Sequence, residues 1–478
     1  METNYIYKIQ TQFKYITLNS VGVMREVYQK IGDKDIFGVI NMMEDNDKEV
    51  DAAIREYNPQ THKVMHRRNK PRKNMPAYIT EKLPRNKQQY INEIELFFLL
   101  GKPVKWWIED GDDEVFAAFR RFWQKHRLDG LLRKTKRLAG AETECALVFH
   151  LSRQGDDVNV VPFVAARSTG YKLRPMFDQY GTLCAFAYGY RLRENGKNVL
   201  HYDILTKDFI FYCHNGAHGW NVETYENPLG KIPALYFRQP KAWDGAVARI
   251  EREEQLDSKV GDTNNYFAEP KAAATADVVA NISDPEVAGN MVQLTGASSR
   301  FEYINPPQNS VTRQDEKSDL HSSIFFDTMT PDLSYDSIKG LGTLSGAAMH
   351  NALVLGYMKR DIRRETYEPM VDRMRSVIFE ILKLTQPEIA SKVDETHLNF
   401  EFPDPFATNQ DNWGAIMQLY NVGLCSLETA VKNIALVDDV DAEIDRIQFN
   451  NMEMEFTKNL AANGDQQPQE VEPNTTEE

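Results

Sequence analysis

Residues 243–267 read WDGAVARIEREEQLDSKVGDTNNYF. Apolar positions at Ala246, Val247, Ile250 and Val260 alternate with a charged interior of Arg249, Glu251, Arg252, Glu253 and Glu254, so the stretch predicts one long helix. At 1.5 Å per residue it spans about 37 Å. A helix this charged is expected to pack beside other helices with one face wet rather than sit in a core. Glu269-Pro270 ends it. A segment of short strands and small residues follows over 271–307, punctuated by Asp284-Pro285, Gly289, Gly296 and Pro306-Pro307. A second helix, about Arg313–Thr328, then runs back with Leu320, Ile324 and Phe325 on one face. Two antiparallel helices joined by a compact β-containing tip make a protruding arm, for which a lone globule has no use.

On the N-terminal side of the arm, residues 146–237 have the texture of antiparallel strands. Ala146–Leu151, Val158–Val164, Leu183–Leu192, Val199–Leu205 and Phe209–Cys213 are rich in β-branched and aromatic residues. Turn formers separate them at Gln154–Asp157, Tyr180-Gly181 and Glu194–Gly196. Further upstream, Asn86–Leu100 predicts an amphipathic helix stopped by Gly101 and Pro103. Glu114–Lys136 predicts a helical pair broken at Asp129-Gly130, with Phe116, Phe119, Phe122 and Trp123 at core spacing. Residues 1–84 mix short helical patterns with a basic loop, His66–Lys73, read as a solvated turn at Pro71, with a DNA- or partner-facing patch as the alternative.

After the arm, Pro331–Leu344 is a loop rich in glycine and short polar residues. It leads into a helix from about Ser345 to Leu384, bent where Pro369 lacks a backbone donor. Leu398–Phe402 is β-like, and two or three helices follow over Asn409–Leu460. The tail Ala461–Glu478 is polar and acidic without Lys or Arg, a composition expected to be disordered. The whole is an α+β chain without internal repeat.

Composition limits the function. The chain has 478 residues, long enough for two to four subdomains, and 42% of them are hydrophobic. Its net charge of -14, from 56 basic and 70 acidic residues, makes tight sequence-independent DNA binding a poor fit. A surface past which DNA slides is compatible with it. The four cysteines form no CxxC pair, which fits a reducing compartment with no zinc or disulfide framework. No signal-peptide pattern or run of roughly 20 apolar residues occurs, and Ile94–Leu100 is interrupted by Glu95. A soluble protein made in a cytoplasm is expected.

Catalytic motifs are lacking. There is no GxxxxGK[ST], and Gly340–Gly346 (GLGTLSG) has neither the lysine nor a preceding buried strand. HExxH and GxSxG do not occur. His214 and His218 lie among Asn215, Gly216 and Gly219, which predicts a hairpin turn rather than a metal-binding helix. Asp438, Asp439, Asp441, Glu443 and Asp445 suit a helix start, where carboxylates favour the dipole, better than a two-metal site. No enzyme activity, metal or cofactor is expected.

Four local motifs occur in an order that carries a resemblance. They are Phe97–Val104 with Gly101-Lys102-Pro103, Asn227–Pro233 with Leu229, Gly230 and Pro233, and Leu344–Ala348 with Ser345, Gly346 and Ala348. The fourth is Ser426–Ala430 followed by Val437-Asp438-Asp439 and Glu443-Ile444. Across about residues 50–450 the chain resembles the portal, or head–tail connector, proteins of tailed bacteriophages, of the type in siphophages of Gram-positive hosts. Lys271–Pro307 and residues 1–45 match no pattern of that family.

The resemblance implies a ring subunit, dodecameric in the capsid, at one vertex of the virion. It implies a wing (residues 1–240 and 331–408), stem helices (241–267 and 313–330), a clip (268–312) and a crown (409–460), before the tail 461–478. It implies a tunnel loop within 331–344, with Ser334, Tyr335, Asp336, Ser337, Ile338, Lys339, Gly340 and Gly342 as the candidate DNA-facing positions and a passive wing connector as the alternative. The implied partners are further copies of the chain, the terminase packaging motor, major capsid and scaffolding proteins, a head-completion adaptor, and double-stranded DNA passing through without sequence readout. Assembly is expected in the host cytoplasm.

Overall fold

The computed structural model describes residues 20–72, 75–154, 157–194, 196–268, 272–274, 301–303, 310–334, 339, 351–406, 409–434 and 443–450, with 452 and 454. They fall into two units, one ending at Pro403 and one beginning at Asp404.

The first unit is layered. Strands β1 (Lys70–Arg72) and β2 (Met75–Tyr78) form a small ribbon, and β3 (Lys105–Asp110) pairs at a distance with β14 (His397–Glu401). Strands β4 (Glu144–Gln154), β5 (Asp157–Ala165) and β11 (Ala234–Arg238) make an antiparallel sheet in the order β11-β4-β5. Strands β6 (Lys172–Phe177), β7 (Leu183–Glu194), β8 (Lys197–Thr206), β9 (Phe209–Gly216) and β10 (Gly219–Glu226) make a second in the order β10-β9-β8-β7-β6. All five expected strands are present. The expected hairpin is also there, with His214 on β9 and His218 in the turn before β10.

Strand alternation explains the stacking, since successive side chains leave a strand on opposite faces. Ala146, Val148, Ala234 and Tyr236 of the three-stranded sheet meet Phe186, Tyr188, Leu205 and Ile210 of the five-stranded one. The other face of the five-stranded sheet, with Ala185, Ala187, Ile204 and Phe211, is covered by α1 (Ser20–Gly32) and α2 (Ile36–Met42) through Val27, Ile31, Val39 and Ile40. On the far side, Cys145, Leu147, Phe149, Leu235 and Phe237 enter the largest core. There they meet helices α4 (Lys87–Leu100), α5 (Asp113–Lys125), α6 (Leu128–Glu142) and α9 (Val354–Thr385). The order helix, sheet, sheet, helix buries both faces of β4 over Cys145–Phe149, a continuous apolar run, whereas its far end at Ser152–Gln154 is polar.

The aromatic residues of α5 are core, as their spacing predicts. Phe119 and Trp123 are buried, Phe116 and Phe122 pack against them, and Trp106 of β3 lies 4.8 Å from Phe119 and 5.1 Å from Trp123. The break between α5 and α6 falls at His126-Arg127 instead of Asp129-Gly130, with Arg127 left-handed at φ 50°. Asp129 belongs to the first turn of α6. Its two oxygens accept from Val104 N at 3.1 Å and Trp123 Nε1 at 2.7 Å, tying the helix start to both neighbours.

Glu95, the charge that interrupts the apolar run of α4, is fully buried with Lys136, Lys359 and Arg363. Burial acts to raise its carboxyl, but the three cations outweigh that and hold it well below the ordinary carboxylate range. Pro369 lies inside α9 as expected, and near the start of that helix Gly356 sits so close to α4 that an added Cβ would run into the Phe98 ring. The second unit contains α11 (Asn409–Asn421) and α12 (Leu427–Ile434), with 443–450 also helical. The expected tail, 461–478, lies outside the described residues.

Candidate functional site

The arm has the two helices that the sequence predicts, but the first begins at Val247 instead of Trp243, because 242–245 form a turn with Gly245 at φ 86°, and the second begins at Ser310. Helix α7 (Val247–Ala268) and helix α8 (Ser310–Asp327) are joined through β12 (Ala272–Ala274) and β13 (Phe301–Tyr303), which pair antiparallel; most of the tip lies outside the described residues. Arg249 of α7 pairs with Asp327 of α8, and Asp257 with Lys317 at 3.0 Å, so the helices run antiparallel. At the base, Trp243, Ala246, Ile250, Ile324 and Phe325 form their own core with Ile91 of α4. Trp243 Nε1 donates to Glu56 at 3.0 Å.

The electrostatics of α7 correct the sequence reading. The helix does keep one wet face, with Arg249 and Arg252 exposed, but Glu253, Glu254, Asp257, Ser258 and Asp262 are buried. An extended segment over 81–85 explains why. The main-chain N–H groups of Glu81, Leu83 and Arg85 donate to Asp262 Oδ1 (2.8 Å), Ser258 Oγ (3.0 Å) and Glu254 Oε1 (2.8 Å). Every second residue of an extended chain advances about 6.6 Å. Every fourth residue of a helix advances about 6 Å. The two repeats match closely enough for three successive contacts, one per helical turn. An exposed N–H row of the strap is thereby satisfied by side-chain acceptors rather than by a strand partner.

Cations complete the same stripe. His62 Nδ1 lies 2.6 Å from Glu254 and Lys87 Nζ 2.8 Å from Glu253, while Arg85 Nε donates to Asp257 at 2.6 Å. Arg67 reaches Asp262 at 2.8 Å, with Lys70 at 3.9 Å. Thus Arg67 of the basic loop binds the arm helix, whereas Lys70 stays mostly in water at the limit of pairing and His66, Arg68, Asn69 and Pro71 are exposed, as a solvated turn requires. The acceptor spacing of Glu254, Ser258 and Asp262 was the available sequence signal, but it names no partner.

The motif residues divide by role. Asn227 organises the turn before β11: its side-chain amide donates to Thr206 O and Lys231 O, both at 2.8 Å, and its Oδ1 accepts from Leu229 N at 3.1 Å. Leu229 is buried, Gly230 takes φ 58°, which favours glycine, and Pro233 O accepts from Phe149 N at 2.8 Å. Gly101 caps α4 in a right-handed conformation, followed by Lys102 and exposed Pro103. These are structural positions.

The start of the loop Pro331–Leu344 is tied down, since Leu333 N donates to Tyr90 Oη of α4 at 2.8 Å and Ser334 N to Asp332 at 3.0 Å. Lys339 is exposed. Tyr335, Asp336, Ser337, Ile338, Gly340, Gly342, Ser345, Gly346 and Ala348 lie outside the described residues. No group of three or more His, Cys, Asp or Glu suited to a metal occurs among the described residues.

An α+β body carrying a two-helix arm with a β-containing tip is the portal-type architecture. Residues 39–453 match the phage portal protein family, SPP1 Gp6-like, and the chain belongs to that family. It is thus a component of the phage particle, the portal through which DNA enters and leaves the capsid. No curated protein gives a significant match. Among solved structures, a chain from the neck of a native gene transfer agent particle computed with C12 symmetry is similar, with TM-score 0.41 and 11% identity, covering 74% of this chain and 91% of that one. A chain from the virion of a native gene transfer agent particle gives 0.38 and 11%, covering 73% and 88%. One from the neck of an empty particle computed with C6 symmetry gives 0.41 and 10%, covering 73% and 89%.

Proposed function

We propose that the α7–α8 arm is the stem of a dodecameric ring and that 268–312 is its clip, the docking surface for the terminase motor and the head-completion adaptor. The observation that carries this is the ladder from the strap to α7. It fixes the arm to the body over successive helical turns, so force or displacement at the tip is delivered to the wing instead of being lost in a hinge. The parts before 240 and over 331–408 then form the wing, contacted by capsid and scaffolding proteins, and 409–460 form the crown. The loop 331–344 lines the bore, where the acidic chain lets double-stranded DNA pass with little adhesion. Assembly takes place in the host cytoplasm, and the protein turns over no substrate. Negative-stain microscopy of the purified protein tests the ring directly, and a field of particles without a central hole would sink it. ATPase and nuclease assays on the same sample are expected to read blank; metal-dependent turnover abolished by a single carboxylate substitution would refute the non-enzymatic role.

A further inference from the structure

The five-stranded sheet ends on an open edge. Strand β10, GWNVETYE, pairs with β9 on one side, and among the described residues no strand pairs with the other. Most of its residues are exposed, and it carries neither the proline nor the lysine that commonly blunts such an edge. On the α1 side, Tyr28, Ile31, Phe209, Phe211, Val222 and Thr224 line a groove of about 440 Å³, with Lys34 at its margin as the one charged lining residue. Phe37, 50% exposed, packs edge-on against Trp220 at 5.2 Å and extends this apolar shelf. The opposite face of β10 presents Asn221, Glu223 and Tyr225, which follows from the alternation of the strand. A strand that completed this edge would need an apolar face toward the groove and a basic or polar face toward Glu223.

Residues 5–15 of this chain, YIYKIQTQFKY, have that pattern. Tyr5, Tyr7, Ile9, Thr11, Phe13 and Tyr15 alternate with Ile6, Lys8, Gln10, Gln12 and Lys14, and no Gly, Pro, Asp or Glu interrupts them. We propose that residues 5–15 of one subunit add as a sixth strand to β10 of the neighbouring subunit in the ring, with the odd-numbered side chains in the groove and Lys8 or Lys14 near Glu223. Main-chain hydrogen bonds supply the attachment, and the alternate side chains supply the register. One feature favours the neighbour over the subunit's own edge. A closed ring needs two different, complementary surfaces on each copy, and a donor strand with an acceptor edge is such a pair. The groove is lined by the last turns of α1, whereas Ser20, the first described residue, lies on the order of 15 Å back along the helix.

The inference rests on the ring reading, so rings are scored by microscopy before the test begins, and their absence counts against that reading instead. Full-length protein carrying a photo-reactive benzoyl-phenylalanine in place of Thr224 is irradiated as intact rings. A ladder of crosslinked multimers on a denaturing gel is expected, with the crosslinked peptide falling within residues 5–15. Rings that crosslink only within a single chain, or to another segment, overturn the proposal. Ile9→Asp with Phe13→Asp in the same background should abolish the ladder while leaving the far-ultraviolet circular dichroism unchanged; an undiminished ladder would be equally fatal.

Discussion

His62 Nδ1 lies 2.6 Å from Glu254 Oε1, its Nε2 lies 2.7 Å from the main-chain oxygen of Glu56, and the histidine and glutamate side chains are both buried. Both ring nitrogens face acceptors, an arrangement that favours the doubly protonated imidazolium over either neutral tautomer. Burial alone would lower its pKa, but the hydrogen bond and charge of Glu254 outweigh burial and raise it. A raised folded-state value contributes stability that is complete below the unfolded value, about 6.5, and is lost as pH climbs through the folded value. Thermal melting is therefore expected to fall as pH rises through and above neutrality, and His62→Gln should flatten that dependence. A parallel pH profile in the variant would remove His62 from the account.

The buried cluster around Glu95 predicts an asymmetry. One carboxylate faces three cations, so Glu95→Gln leaves Lys136, Lys359 and Arg363 buried with no counter-charge and should cost about 3–5 kcal/mol. Lys136→Met removes one of three like charges and leaves the carboxylate paired. Lys136 is already pushed down to about 8, chiefly by burial, so its loss should cost clearly less. Urea denaturation of the two variants decides it; equal losses would show that the cluster does not act through charge balance.

Replacing residues 268–312 with a short Gly/Ser linker should leave the body folded, because the arm is held along its length by the strap and at its base by Trp243, Ile250, Ile324 and Phe325. Capture of the packaging motor and the adaptor in a pull-down should be lost. If both still bind, the docking surface lies elsewhere on the chain.

Gly340→Val with Gly342→Val should restrict the loop after its anchored start at Leu333, since glycine reaches backbone conformations that valine does not. Ring formation and procapsid incorporation should survive while DNA filling drops, read as nuclease-protected DNA per procapsid. Normal filling by intact rings would reduce the loop to a connector.

Local pattern carried most of the fold. Turn formers, strand alternation and helix periodicity are set by neighbours within a few residues, and they were enough for the five strands, the His218 turn, the arm helices and the aromatic face of α5. The Asn227–Pro233 turn belongs with them, because one side chain organises its own next four residues. The surroundings of charged groups were not legible in the same way. Whether Glu254 faces water or a cation depends on His62, 192 positions away in sequence, and the β3–β14 ribbon joins Glu109 and Asn399 across 290. Helical periodicity gives the face on which a carboxylate stands, but only the packed chain supplies the N–H groups and cations that make its burial affordable. Thus the elements and the family were written in the sequence, whereas the burial of the acidic stripe on α7 was decided by contacts that exist only after the chain has folded back on itself.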